Sequence, residues 1–179
     1  RPMLPDHLET GDVSLRPPSM ADAEDVFAYA SDPEWGRFLP VPNPYLREDA
    51  LAYLEKVTGL DRDQHPAWAV CVDDAVVGGV NIRFVAGHRI AEVGYGIARW
   101  YWGRGLTHQV MRAVIDAAFE AYPQLRRVRA RADSRNVGSR RVMEKLGMAF
   151  EGEMRLDRFI GGELRNEVIY GVLREEWSA

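Results

Sequence analysis

The sequence predicts a mixed α/β (α+β) fold, a sheet of strands with helices packed on it. Three observations predict this. Strand-like and helix-like segments interleave in the order β-α-α-β-β-β-α-β-α-β-β, which fits neither a helical bundle nor a β-sandwich. From Ala91 onward the alternation is regular, strand-helix-strand-helix-strand. The 179 residues, 46% hydrophobic and 28% charged, suffice for one globular unit with a sizeable core. Residues 1–179 are therefore read as a single domain.

The elements follow in order. Val13-Ser14-Leu15-Arg16 alternates as a strand does, and Pro17-Pro18 stops it. Ser19, with Asp22 three residues on, has the spacing of a capping box. The helix behind it would carry Ala23, Val26, Phe27 and Ala30 on one face and end near Asp32-Pro33. Pro40, Pro42 and Pro44 stiffen an apolar loop from Glu34 to Tyr45. Leu51, Leu54 and Val57 then mark a second helix, ending near Gly59. Ala67 to Val72 reads as a strand, Asp73-Asp74 as a turn, and Val76 to Phe84 as the next strand. Within the latter, Gly78-Gly79 suggests a bulge or a close backbone approach. Ala91 to Ala98 is a further strand, the fourth by this count. A long helix from about Arg104 to Tyr122 carries Val110, Val114 and Ala118 four apart. Arg126 to Ala132 is the fifth strand. A helix from Val137 to Leu146 is closed by Gly147, and two last strands, Phe150 to Phe159 and Leu164 to Leu173, flank the Gly161-Gly162 turn.

Composition excludes several classes of function. The net charge is -4, which disfavours a wholly basic nucleic-acid binder. One cysteine, Cys71, allows neither an internal disulfide nor a thiolate metal cluster. His65 and His88 lie in expected loops without ligand spacing, so no metal is expected. No apolar run approaches the roughly 18 residues of a membrane span. Residues 1–9 lack the apolar segment of a secretion signal. A cytoplasmic location is the expectation.

Two segments carry chemistry. Arg99-Trp-Tyr-Trp-Gly-Arg-Gly-Leu-Thr-His108 joins a strand to the long helix. Gly103 and Gly105 flank Arg104 at the helix start, where outward N–H groups and the helix dipole suit a phosphate or pyrophosphate. No Gly-Lys-Ser/Thr follows, so this is not a nucleotide-triphosphate loop. A tight glycine turn is the plain alternative. The second segment, Arg126 to Arg141, holds seven arginines and one acid, Asp133. Its local charge of +6 leaves -10 on the rest of the chain. Arg127, Arg129 and Arg131 share one strand face and read mainly as a solvated, salt-bridged surface. Arg135, Arg140 and Arg141, near a helix start, are better anion candidates. Asn136 is placed to cap the helix beginning at Val137, and Ser139 falls in its first turn.

Taken together these pieces resemble the GNAT superfamily of acyl-CoA-dependent N-acyltransferases, in its Rim-type branch of ribosomal-protein N-terminal acetyltransferases and their relatives. Three segments carry the likeness: Ala91-Glu-Val-Gly-Tyr-Gly-Ile97 to the family's bulged fourth strand, Tyr101-Trp-Gly-Arg-Gly-Leu-Thr107 to its pyrophosphate loop, and Asn136-Val-Gly-Ser139 with Glu144-Lys-Leu-Gly-Met148 to its last core helix. The loop departs from the family pattern at Trp102 and Thr107. Met143 stands where many relatives place a tyrosine acid, and it cannot donate a proton.

The resemblance implies a largely antiparallel seven-stranded sheet, splayed at the fourth and fifth strands, with helices on both faces. It implies acetyl-CoA as acyl donor and transfer to a primary amine, such as a protein N-terminus or a small amine. Ile97, Ala98 and Arg99 would pair with the pantetheine amides through their backbones. Arg104, Gly105, Leu106 and Thr107 would hold the pyrophosphate, and Asn136 and Ser139 would contact the lower cofactor. An N–H near Ile97 would polarise the oxyanion. Glu92 would serve as base through water, with Asp133 second, and Ser139 would protonate the thiolate. Trp35, Phe38 and Tyr45 would wall the acceptor cleft, with the Phe159-to-Arg165 hairpin beside it. The net negative charge weakly favours a cationic acceptor. Relatives are often dimers, and a homodimer is expected by that analogy. Neither a membrane nor a nucleic acid is an expected partner. The alternatives are a non-catalytic acyl-CoA sensor, a longer donor such as succinyl-CoA, and, least favoured, a nucleic-acid binder acting through the Arg126-to-Arg141 stretch.

Overall fold

A computed structural model describes residues 3–177. Its strands are β1 (Leu8–Thr10), β2 (Val13–Arg16), β3 (Ala67–Val72), β4 (Ala75–Val85), β5 (Ile90–Ile97), β6 (Arg127–Asp133), β7 (Ala149–Ile160) and β8 (Glu163–Leu173). Its α-helices are α1 (Ala23–Ala30), α2 (Pro33–Gly36), α3 (Arg47–Thr58), α4 (Leu106–Ala121) and α5 (Val137–Lys145). The strands form one sheet in the order β1-β2-β3-β4-β5-β6-β8-β7, antiparallel throughout except where β5 meets β6.

Among the described residues the strand count is eight, not seven. The additional strand, β1, spans three residues and pairs with β2 around Gly11, which has φ +57°. Three residues are too few to show the period-2 pattern that marks a strand. The proline loop also contains α2, a single turn that Asp32 caps by accepting the Glu34 N–H at 3.0 Å. Ser19 and Asp22 do form the capping box, with Asp22 Oδ2 2.8 Å from the Ser19 N–H, but on a 3-10 turn that leads into α1.

Helix α4 buries Leu106, Val110, Met111, Val114, Ile115, Ala118 and Phe119, an apolar stripe at helical spacing. Helix α5 ends in a Schellman motif: Met148 N–H donates to Met143 C=O, Gly147 N–H to Glu144 C=O, and Gly147 takes φ +81°. The bulge expected at Gly78-Gly79 lies beside them, where Val77 is the extra residue between the Gly78–Val70 and Val76–Cys71 pairs. Close approach holds as well: a Cβ on Gly78 would come within 2.6 Å of the Gly96 carbonyl.

One irregularity creates the site. The β5–β6 register runs from Ile90–Arg127 to Val93–Ala130 and stops. Beyond that point β5 stays with β4 as far as Ile97, and β6 stays with β8 as far as Asp133. The two strands part, and a wedge opens between them. The β4–β5 register itself is continuous from Val85–Ile90 to Gly78–Ile97, so β5 carries no bulge against β4. The expected bulge on this strand is thus absent, and the parting of β6 makes the opening.

Candidate active site

The wedge is a cavity of about 540 Å³ walled by β5, the start of α4, the start of α5, β6 and the α2 turn. Its β5 wall presents unpaired backbone. The Ile82 and Phe84 N–H groups donate away from β5, to the Pro66 and Gln64 carbonyls. Asn81 and Arg83 therefore face β5 and pair there with Gly94 and Glu92. By the same alternation Tyr95 and Ile97 turn their backbone groups toward the gap. The Ile97 carbonyl already accepts the Trp102 indole N–H at 2.8 Å. Ala98 has both groups committed, its N–H to Val77 C=O and its C=O to the Tyr101 N–H. The Arg99 carbonyl accepts from Trp102 N–H, and the Arg99 side chain pairs with Asp32. Of the three expected backbone partners, only Ile97 lines the cavity; Ala98 has both backbone groups committed, and neither Ala98 nor Arg99 is among the lining residues.

At one end of the cavity stands the N-terminus of α4. Gly103 and Gly105 adopt φ of +76° and +78°, and a Cβ on either would meet nothing within 4 Å. Their backbones therefore face open space. Gly105 is the N-cap, with no side chain bonding the first-turn N–H groups and no acid in that turn. An uncapped first turn of a 16-residue helix suits an anion. Gly103 and Thr107 line the cavity, whereas Arg104, Gly105 and Leu106 do not: the Arg104 guanidinium lies over the Tyr101 ring and Leu106 is buried in the core.

The α5 wall is rigid. Asn136 Oδ1 accepts the Ser139 N–H at 3.1 Å, so the capping expected of Asn136 is present. Ser139 Oγ lies 2.8 Å from the Tyr95 hydroxyl. Burial pushes the Tyr95 phenol up to about 12, against the opposing effect of its Ser139 bond. Met143 is fully buried, so no proton donor comes from its position.

The α2 side of the cavity is aromatic and cationic. Trp35 lies over Gly96, where a Cβ would stand 2.9 Å from the ring, and Phe38 stacks beneath the Arg135 guanidinium. Gly96 and Tyr95 alternate along β5, so α2 and α5 cover opposite faces of the sheet. Glu92 shares the Trp35 face but does not line the cavity. Its carboxylate accepts from Arg129 at 3.0 Å, Arg131 at 2.9 Å and Arg83 at 3.0 Å. Burial alone would raise its pKa, but Arg131 and Arg83 win and hold the carboxyl below the usual range. Glu167 goes the other way: burial outweighs Arg158 at 3.5 Å and Arg131 at 3.9 Å, and its carboxyl is raised. Asp133 is fully buried and bidentate with Arg135, and those bonds overcome burial to lower its pKa.

A cleft beside a parted strand pair, ending on an uncapped glycine turn, is the arrangement the resemblance implied. The acetyltransferase (GNAT) domain model matches residues 12–149. The chain belongs to the GNAT family of acetyltransferases. It is 27% identical over 172 residues to the uncharacterized N-acetyltransferase YnaD of Bacillus subtilis, covering 96% of this chain and 99% of that one. A 91-residue match at 37% identity, about half of each chain, links it to the putative ribosomal N-acetyltransferase YdaF of the same organism. Among solved structures, the microcin C7 self-immunity acetyltransferase MccE, described in complex with acetyl-CoA and AMP, superposes with a TM-score of 0.84. That likeness covers 96% of this chain and 98% of MccE at 15% identity, so it speaks for the fold.

In this GNAT enzyme the cavity gathers Trp35, Phe38, Ile97, Thr107, Asn136 and Ser139, as the sequence led one to expect. It does not gather Tyr45, which packs against the core ahead of α3, with its phenol raised to about 12 mainly by burial. Glu92 is drawn away into the arginine clamp. Among the lining residues that sequence reasoning did not place there are Tyr95, Arg131 and Arg158. Tyr95 was legible, because it shares a face of β5 with Val93 and Ile97. Arg158 was not, because its position depends on an irregularity in β7. Among the described residues no group of three or more His, Cys, Asp or Glu forms a metal site, and no helix is long and apolar enough to cross a membrane.

Proposed function

We propose that this acetyltransferase moves the acetyl group of acetyl-CoA directly to a primary amine, with both substrates bound in the β5–β6 wedge. The observation that carries this reading is the cavity's continuity. It runs from the uncapped α4 turn, suited to a pyrophosphate, past unpaired β5 backbone, to an aromatic pocket for the acceptor. The glycine turn fits the donor because a Cβ-free backbone meets open space there.

Bound acetyl-CoA supplies an activated thioester carbonyl. The chain's own groups do the rest. First-turn N–H groups of α4 hold the diphosphate. The Tyr95 and Ile97 N–H groups, turned to the gap, pair with the pantetheine arm and polarise the carbonyl. Ser139, bonded to Tyr95, donates a hydrogen bond where the thiolate departs. Trp35 and Phe38 hold the amine in line, and much of the acceleration is positioning. Direct transfer is supported by the lining itself. Its only hydroxyl side chains besides Tyr95 are Thr107 and Ser139, with no histidine among the lining residues to activate them, and Cys71 is buried in β3 outside the cavity. Glu92 is read as an anchor for arginines rather than as the base.

Calorimetric titration with acetyl-CoA and CoA tests the donor site, with succinyl-CoA as comparison. Initial-rate patterns of CoA release over an amine panel then test direct transfer. Intersecting lines are expected. Parallel lines would indicate an acetyl-enzyme and overturn the reading.

A further inference from the structure

We propose that the amine acceptor carries an anionic group, a carboxylate or a phosphate, which Arg158 and Arg131 receive at the β6 end of the cavity. This rests on the acyl-transfer reading above and names the substrate class of that same site.

Charge counting comes first. The charged residues lining the cavity are Glu34, Arg131, Arg135 and Arg158. Arg135 is neutralised by its bidentate pair with Asp133. Around Arg131 and Arg158, four guanidiniums (Arg83, Arg129, Arg131, Arg158) share two carboxylates, Glu92 and Glu167. Asp157, next to Arg158 in sequence, adds a third carboxylate close enough to raise Glu167, which still leaves four guanidiniums against three carboxylates. Arg165 stands directly opposite Arg158 across the β7–β8 ladder and is paired at 3.3 Å with the exposed Glu163. Cations directly opposite one another destabilise a sheet unless something neutralises them. The cluster has more positive than negative charge, although the chain as a whole is net negative.

The second observation is an orphaned donor. Three buried side-chain nitrogens lack a hydrogen-bond partner among the described residues: Trp35 Nε1, Arg158 Nε and Arg62 Nη2. The first two belong to residues that line this cavity. A buried charged donor without a partner is costly, and the Arg158 guanidinium is held by one long ion pair, Nη1 to Glu167 at 3.5 Å, which leaves it under-paired for an anion.

The third is how Arg158 reaches the site. Between the Met154–Glu167 and Arg158–Arg165 pairs, β7 spends three residues where β8 spends one. Leu156 takes φ +50° inside this bulge, a conformation that side chains with a Cβ rarely adopt. Its N–H donates to Asn166 Oδ1 at 3.0 Å, and Asn166 in turn donates to Glu153. Without the bulge, Leu156 would stand opposite Arg165. With it, a guanidinium does. Such bulges re-aim side chains beside functional sites.

The cationic end is distinct from the donor's diphosphate site. Arg131 meets the carboxylate of Glu92 beside the start of the wedge, whereas the α4 turn lies past Ile97 at the other end of β5.

The test measures binding to the CoA-saturated protein by calorimetry, so it does not depend on turnover. The probes are the proteinogenic amino acids paired with their carboxamides, and phosphoethanolamine paired with ethanolamine. In at least one pair the anionic member is expected to bind ten-fold or more tightly than its neutral partner, and the preferred pair distinguishes carboxylate from phosphate. Arg158→Gln should erase the preference, Arg158→Lys should restore part of it, and both should leave acetyl-CoA affinity unchanged. Neutral members binding equally or better, no probe binding at all, or a preference that survives Arg158→Gln would each overturn the proposal. Acetyl-CoA binding, read separately, reports on the acyl-transfer reading itself.

Discussion

The Tyr95 hydroxyl and the Ser139 hydroxyl stand 2.8 Å apart, joining β5 to the first turn of α5 across the cavity. In the proposed transfer this pair supplies the hydroxyl chemistry that Met143 cannot. With its phenol at about 12, Tyr95 stays protonated at neutral pH and can orient Ser139 without ionising. Removing either hydroxyl deletes one hydrogen bond near the departing sulfur, worth about 1.4 kcal/mol or roughly ten-fold in rate. Tyr95→Phe and Ser139→Ala should each lower kcat about ten-fold with little change in acetyl-CoA affinity. Because the two act as one unit, the double variant should be scarcely slower than either single one. A hundred-fold loss in the double variant would show that they act independently.

Glu92 gives a prediction with two readouts. Its folded pKa lies below the unfolded value, so its contribution to stability is fully present above the unfolded value of about 4.3. That contribution is lost as pH falls through the lower folded pKa. Glu92→Gln should cost about 1–3 kcal/mol at pH 7, because three guanidiniums lose their shared acceptor. The Tm gap between wild type and variant should close as pH falls below about 4. In the pH–rate profile, the acidic limb should keep its position in Glu92→Gln, whereas a true base would take that limb with it.

The contrast between Glu92 and Tyr95 shows how much of this molecule is legible in its sequence. Both lie in one eight-residue strand, and period-2 alternation assigns each to its face. What alternation could not say is which arginines reach Glu92, since Arg83 and Arg129 come from strands paired on either side. Glycine spacing located the α4 turn, because that turn is local chemistry, and the Gly147 stop of α5 is local in the same way. The wedge depends on where β6 leaves β5, a long-range event that leaves no local mark. Tyr45 was nominated as an aromatic in a loop, but the proline loop turns it onto the core instead.

Gly105 tests the donor end. Its φ of +78° would strain any other residue by about 1–2 kcal/mol, while a Cβ there would meet nothing within 4 Å. Gly105→Ala therefore isolates backbone strain, and Gly105→Trp adds bulk over the first-turn N–H groups. The alanine variant should lose a few degrees of Tm and keep acetyl-CoA affinity within about ten-fold. The tryptophan variant should weaken acetyl-CoA by a hundred-fold or more in calorimetry while melting close to the alanine variant. Equal affinities in the two would remove this turn from the donor site.

Gly96 tests the acceptor end with a single methyl group. Its Cβ would lie 2.9 Å from the nearest carbon of the Trp35 ring, closer than real Cβ contacts come. Trp35 is a half-buried ring on a one-turn helix, so it is the partner that yields. Displacing it changes the wall that faces the amine and leaves the α4 turn untouched. Gly96→Ala should therefore raise the acceptor KM several-fold, with the acetyl-CoA dissociation constant within two-fold of wild type. Trp35→Ala in the same background should make the added methyl group harmless, because nothing remains for it to push. If Gly96→Ala instead weakens acetyl-CoA and spares the amine, the face assigned to Trp35 belongs to the donor, and the two ends of the cavity are reversed.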